Sequence, residues 1–154
     1  MLGLNNQDGI VRTGCLLAAL VVLLVGVCAN PVSAARVALV IGNDRYAAVP
    51  NLQKAENDAR AVAVALEELS FKVFVGANLK RRQTNRLLAD FEAAIQPGDQ
   101  AFFFFAGHGV AIGAENYLIP SDMPQPRPGE EGLIRDEAHS VHSLIERVPR
   151  RGAV

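Results

Sequence analysis

The chain has 154 residues, with Lys plus Arg at 15 against Asp plus Glu at 16, a formal net charge of −1. That is room for one domain, and a near-neutral chain carries no global field to hold nucleic acid or an anionic membrane. Half of the residues are hydrophobic and 20% are charged, which is the composition of a globular rather than a disordered protein.

Residues 1–34 differ from the rest. They hold only two charges, Asp8 and Arg12, and Arg12 stands just before an apolar run from Cys15 to Ala29. Val32-Ser33-Ala34 then places small side chains where a signal peptidase acts. The competing possibility is a transmembrane anchor, but 15 apolar residues at ~1.5 Å each reach about 22 Å, short of a hydrocarbon core of ~30 Å. Lipid attachment at Cys28 fits poorly behind the bulky Val27. The expectation is a signal peptide over 1–34 and an exported mature chain, periplasmic or secreted, with no stable membrane anchor. The two cysteines, Cys15 and Cys28, both lie in this segment, so neither a zinc site nor a disulfide framework is expected in what remains.

The remainder alternates between strand and helix patterns. Arg36 to Ile41 is a short β-branched run stopped by Gly42-Asn43, the signature of a strand buried on both faces. Ala55, Ala59, Val62, Ala63, Leu66 and Leu69 recur at helical spacing. Phe71 to Val75 predicts a second strand ending at Gly76. Leu87, Leu88, Phe91, Ala94 and Ile95 predict a second helix, fronted by Lys80-Arg81-Arg82 and stopped by Pro97-Gly98. The three cations read best as a solvated face, since no aromatic or Gly-rich companion supports phosphate or nucleic-acid binding. Ala101 to Ala106, with four consecutive Phe, predicts a third strand. Two strand–helix–strand crossovers imply a parallel sheet between helices. Beyond it, Glu115 to Pro120 looks hairpin-like, Met123 to Gly132 reads as a surface loop, and Ser140 to Val148 as a last short helix.

The chemistry concentrates where the third strand runs into Gly107-His108-Gly109. Ligands and catalytic groups gather at the carboxyl ends of parallel strands. Two glycines free the imidazole of neighbouring bulk, and the second lets its own N–H approach a reacting oxygen; the same two glycines would serve an ordinary turn. Other templates fail. There is no Gly-x-Ser-x-Gly elbow, and Gly42-Asn43-Asp44 lacks the further glycines of a dinucleotide or phosphate cradle. His139 and His142, three apart on the expected helix, have no third ligand nearby, so no metal and no cofactor is expected.

Strand plus Ile41-Gly42-Asn43, then Tyr46, Leu52 and Ala55-Glu56-Asn57-Asp58-Ala59, resembles the opening of bacterial caspase-like peptidases and metacaspases. So does Phe102 to Gly109, followed by Glu115 to Pro120 and Asp122. The resemblance covers roughly residues 36–154. It implies an α/β fold, a caspase-like parallel sheet flanked by helices in three layers, and cysteine endopeptidase chemistry on a peptide or protein substrate. His108 resembles the catalytic histidine, and Gly109 the residue whose N–H helps to form the oxyanion hole. Asp58 is similar to a metacaspase aspartate that lines the pocket for a basic substrate side chain; as a residue it is equally an ordinary first-turn helix acid. Ala106 and Ala55 stand where metacaspases often have Ser and Cys.

The departure with most consequence is the nucleophile. In caspases the cysteine follows the histidine by about 50 residues, which projects it just past Val154. Residues 35–154 are therefore expected to be the N-terminal part of a caspase-like domain, incomplete on the C-terminal side and ending shortly after an Arg151-Gly152 turn. A non-catalytic peptide-binding or assembly module and an inactive gene fragment stay open as alternatives.

Overall fold

The computed structural model describes residues 34–148. The apolar segment through Ser33, with both cysteines, and the Arg151-Gly152 turn lie outside the described residues.

Strand β1 (Arg36–Gly42) is the middle strand of the parallel sheet, buried from its second residue onward. Alternate side chains leave a strand on opposite faces, and here both faces are covered. Val37, Leu39 and Ile41 pack with Leu88, Phe91 and Ile95, while Ala38 and Val40 pack with Ala59, Ala63 and Leu66. That is why the run is apolar without alternation. Helix α1 (Ala55–Glu68) supplies the second of these faces. Its buried stripe is mostly alanine, which lets it lie close to the sheet. A Cβ on Gly42 would come within 2.4 Å of the Ala55 carbonyl oxygen, so β1 needs glycine where α1 begins.

Strand β2 (Lys72–Ala77) runs past the stop expected at Gly76, and the chain turns instead at Asn78, which holds a left-handed φ of 52°. Helix α2 (Arg81–Ala94) covers the other face. Its basic start is not simply solvated. The Arg81 N–H donates to the Asp122 carboxylate at 2.8 Å and the Arg81 guanidinium lies 3.8 Å from Glu137, whereas Arg82 is exposed. Strand β3 (Gln100–Ala106) follows. The sheet is parallel with order β2-β1-β3, and Ile41 stands opposite Gly76 on one side and Phe105 on the other. Among the described residues no strand pairs with the far edge of β3, and Phe102 is 39% exposed there.

A second, antiparallel sheet of order β4-β5-β6 is built from β4 (Gly109–Ile112), β5 (Glu115–Leu118) and β6 (His139–Ser140). The hairpin expected around residues 115–120 has Gly109–Ile112 as its other arm. It closes through the two-residue turn Gly113-Ala114, with Gly113 at φ 65° as such a turn requires. A short helix α3 (Glu131–Glu137), not expected from the sequence, begins at the end of the stretch read as a loop. Helix α4 (Val141–Arg147) is the expected last helix. The Ser140 hydroxyl accepts the Ser143 N–H at 3.1 Å and caps α4. That cap leaves His139 outside the helix, on β6, so His139 and His142 do not form the helical pair that the spacing suggests. Among the described residues, no helix is long and apolar enough to cross a membrane.

Candidate active site

The carboxyl ends of β1 and β3 meet, and Asn43 joins them. Its N–H donates to the Ala106 carbonyl at 2.9 Å. Its side-chain oxygen accepts the Leu79 N–H at 2.9 Å, and its amide donates to the Ile119 carbonyl at 3.4 Å. Only 1% of this polar residue is exposed. Buried this deeply, it is tolerable because both ends of the amide are satisfied. It fixes three strand-end loops at once.

The loop from Asp44 to Lys54 folds back over the strand ends. The Asp44 carboxylate accepts the Ala55 N–H at 2.8 Å and the Glu56 N–H at 3.0 Å, capping α1 from eleven residues upstream. Asn78 accepts the N–H groups of Asp44 and Arg45, each at 2.9 Å, and donates to Glu56 at 2.7 Å. Within the loop, the Tyr46 N–H donates to Asn51 at 2.8 Å and the Leu52 N–H to the Asp44 carbonyl at 2.8 Å. The Ala47 N–H reaches across to the Ser121 carbonyl, also at 2.8 Å.

His108 sits under this loop, half-buried. Its Nε2 lies 2.7 Å from the Pro50 carbonyl oxygen. A carbonyl only accepts, so Nε2 carries a proton, and in the neutral ring Nδ1 is the nitrogen with the lone pair. The His108 N–H donates to the Tyr46 hydroxyl at 2.9 Å, and the His108 carbonyl accepts the Ile119 N–H at 3.0 Å. The Tyr46 and His108 rings lie 4.8 Å apart, tilted by 54°. Gly107 has to be glycine, because a Cβ there would meet the Tyr46 hydroxyl and the Phe105 ring at 2.7 Å each. Burial, with a smaller push from Asp44, raises the Tyr46 pKa against the opposing effect of its bond to His108. The phenol therefore stays protonated at neutral pH.

Gly109 opens β4 opposite Leu118. In an antiparallel ladder, hydrogen-bonded pairs alternate with non-hydrogen-bonded ones. Since the Ile119 N–H bonds the His108 carbonyl, the Gly109–Leu118 pair is of the second kind. The Gly109 N–H consequently points off the ladder, on an exposed residue next to the imidazole. His108 and Gly109 thus stand side by side where β3 gives way to β4.

Asp58 is not part of that arrangement. It is exposed on the first turn of α1, with its own N–H bonded to the Lys54 carbonyl, and no hydrogen bond or ion pair joins it to His108 among the described residues. The better-connected acid on that turn is Glu56, 3.1 Å from Arg60 and 3.7 Å from Arg45. Among the described residues, no three metal-ligating side chains gather. Two features escaped sequence reasoning. The Pro50 carbonyl carries no side-chain signal at all. Tyr46 and Asn43 belong to the resembling motif, but no sequence signal names their partners.

A three-stranded parallel sheet flanked by helices is the architecture of a caspase-like α/β domain. Residues 35–145 match the family model described as the caspase domain, and the chain belongs to that family. It is similar to the human mucosa-associated lymphoid tissue lymphoma translocation protein 1, with 28% identity over 104 residues. The mouse homolog of that protein matches at the same identity and length. The match takes in 68% of this chain but 13% and 12% of these two relatives.

Proposed function

We propose that this domain serves proteolysis through a Cys/His dyad in which His108 is the general base and the Gly109 N–H stabilises the oxyanion. The observation that carries the reading is the bond from His108 Nε2 to the Pro50 carbonyl, which leaves Nδ1 outside that bond, with the neighbouring Gly109 N–H turned off the ladder. Nδ1 takes the proton of a cysteine thiol, and the thiolate attacks the peptide carbonyl carbon. Gly109 N–H receives the negative charge that develops on the carbonyl oxygen. Collapse breaks the C–N bond, and the leaving amine takes the proton from Nδ1. Water, deprotonated by the same nitrogen, then hydrolyses the thioester. Asp58, exposed on α1, is proposed to meet a basic side chain of the substrate.

The thiol is not within residues 29–154, which contain no cysteine. That observation favours a second reading, in which the domain binds peptides or assembles with partners without cleaving them. The two are separated by peptide turnover, with Arg, Lys and Asp before the scissile bond. Residues 1–154 alone are expected to show none. A protein that also includes whatever its gene encodes beyond residue 154 is expected to show turnover, lost in His108→Ala and on replacing the added cysteine by alanine. A cysteine-free extension that binds the peptides intact would establish the binding module. Turnover by the chain itself, resistant to thiol alkylation but abolished in His108→Ala, would overturn the cysteine mechanism.

Export is proposed as well, with cleavage after Ala34 or Ala35. N-terminal sequencing of secreted or periplasmic material should begin at Ala35 or Arg36. Retention of Leu16 to Val27 in the mature protein would show an anchor instead.

A further inference from the structure

We infer that Tyr46 is a positioning residue for His108: its hydroxyl holds the His108 main chain and its ring flanks the imidazole, so that Nε2–H stays on the Pro50 carbonyl and Nδ1 faces outward as the base. The inference rests on the proposed role of His108 and extends it to a residue that touches no reacting atom.

Four observations converge on it. The phenol oxygen accepts the His108 N–H at 2.9 Å. The two rings are 4.8 Å apart, so the imidazole cannot rotate freely past the phenol. Gly107 leaves no room for a side chain between them, since a Cβ would stand 2.7 Å from the Tyr46 oxygen. Tyr46 itself belongs to the loop that supplies Pro50, and its N–H is bonded to Asn51, the residue after that proline, at 2.8 Å.

One short loop therefore grips His108 at both ends: the backbone through a phenol, and the ring through a carbonyl. A free histidine samples two neutral tautomers and several rotamers. Here the Tyr46 hydroxyl on the main chain and the Pro50 carbonyl on the ring together select one of each. Tyr46 also packs against the cluster of Ile112, Tyr117, Ile119 and Met123, which ties the grip to the second sheet.

The test reads the tautomer directly and requires no thiol. In nitrogen-15-labelled full chain, long-range proton–nitrogen spectra of the neutral His108 ring should show the Nε2–H form as the dominant one. Tyr46→Phe keeps the ring and removes the acceptor. It is expected to raise the Nδ1–H population by up to roughly tenfold, the worth of one net hydrogen bond, with far-UV circular dichroism unchanged. Should Tyr46→Phe fold poorly, Asn51→Ala loosens the same loop from its other end and is expected to shift the population in the same direction. Tyr117→Phe removes the chain's other phenol, which bonds Glu115, and should leave the His108 signal unmoved. An unchanged tautomer ratio in both folded loop variants overturns the role of Tyr46. Because no turnover is measured, that result would leave the peptidase reading standing, and a cysteine-free extension would leave the tautomer result standing.

Discussion

The two sheets of this domain are held together by different physics. Around β1, stability comes from apolar contact on both faces: Leu39 is fully buried, and the flanking helices contribute Ala59, Leu66, Leu88 and Phe91. The second sheet has strands of four, four and two residues. It keeps a smaller apolar cluster around Tyr117 and Met123 and relies on polar links. Glu115 accepts hydrogen bonds from Ser140 and Tyr117, and these hold its carboxyl below the usual range. His139 is mostly buried there, with no hydrogen-bond partner for Nε2 among the described residues. The parallel sheet is thus an apolar frame, and the antiparallel one a smaller platform held by polar links, with a mostly buried imidazole on its last strand. The proposed base lies at the junction, where β3 leaves the first and β4 enters the second.

The largest effect should come from hollowing the frame. Phe91→Ala empties a site that is 2% exposed, between α2 and β1, and is expected to cost about 3–5 kcal/mol. Denaturant titration measures it. A loss below about 1 kcal/mol would mean that the frame does not depend on this packing.

Acid should separate the two sheets. Burial, with Arg81 and Arg147 nearby and Asp122 opposing them, lowers the His139 pKa to about 4. Glu137 neutralises part of the Arg81 charge, and Glu92, 2.6 Å from Arg147, does the same on the other side. The unfolded chain binds this proton near the ordinary histidine value of ~6.5, so between those two values unfolding takes up a proton. Stability is complete above about pH 6.5 and falls as pH drops towards 4, by on the order of 2 kcal/mol once the ring's partial exposure is allowed for. Amide exchange should show β5 and β6 losing protection at higher pH than β1, and His139→Gln should remove the difference. Equal loss in both sheets would contradict the comparison.

Asp44→Ala takes the carboxylate from the N-terminus of α1, where Lys54 offers no side-chain cap of its own. A cost of about 1–2 kcal/mol is expected, with fraying of the first turn of α1 in amide exchange. An unaffected first turn would show that another group takes over the cap. The smallest stability effect is expected at the open edge of β3. Phe102→Lys introduces charge at an exposed position and should change stability by less than about 1 kcal/mol while raising the monomer fraction in sedimentation, because unpaired apolar edges recruit other chains. Unchanged self-association would place the sticky surface elsewhere.

The same contrast governs how legible the molecule was. The strands and helices of the frame follow from runs and periodicities, since each buries a continuous side-chain pattern. Helix α3 shows no helical pattern in the sequence, because its apolar residues, Leu133 and Ile134, are adjacent rather than spaced around turns. His139 was placed on a helix because helical spacing to His142 is visible locally, whereas the Ser140 cap that excludes it depends on where α4 starts.

By itself the sequence determined a parallel α/β frame, a histidine between two glycines at the end of its third strand, and the caspase resemblance. These depend on side-chain type and short-range spacing, which a linear chain displays. Tertiary structure alone decided which imidazole nitrogen is free. That choice is made by a main-chain carbonyl at Pro50 and a phenol at Tyr46, 58 and 62 residues from the histidine in sequence. A backbone acceptor has no identity in the sequence, and a hydroxyl announces no partner until the loop that carries it has folded over the strand ends.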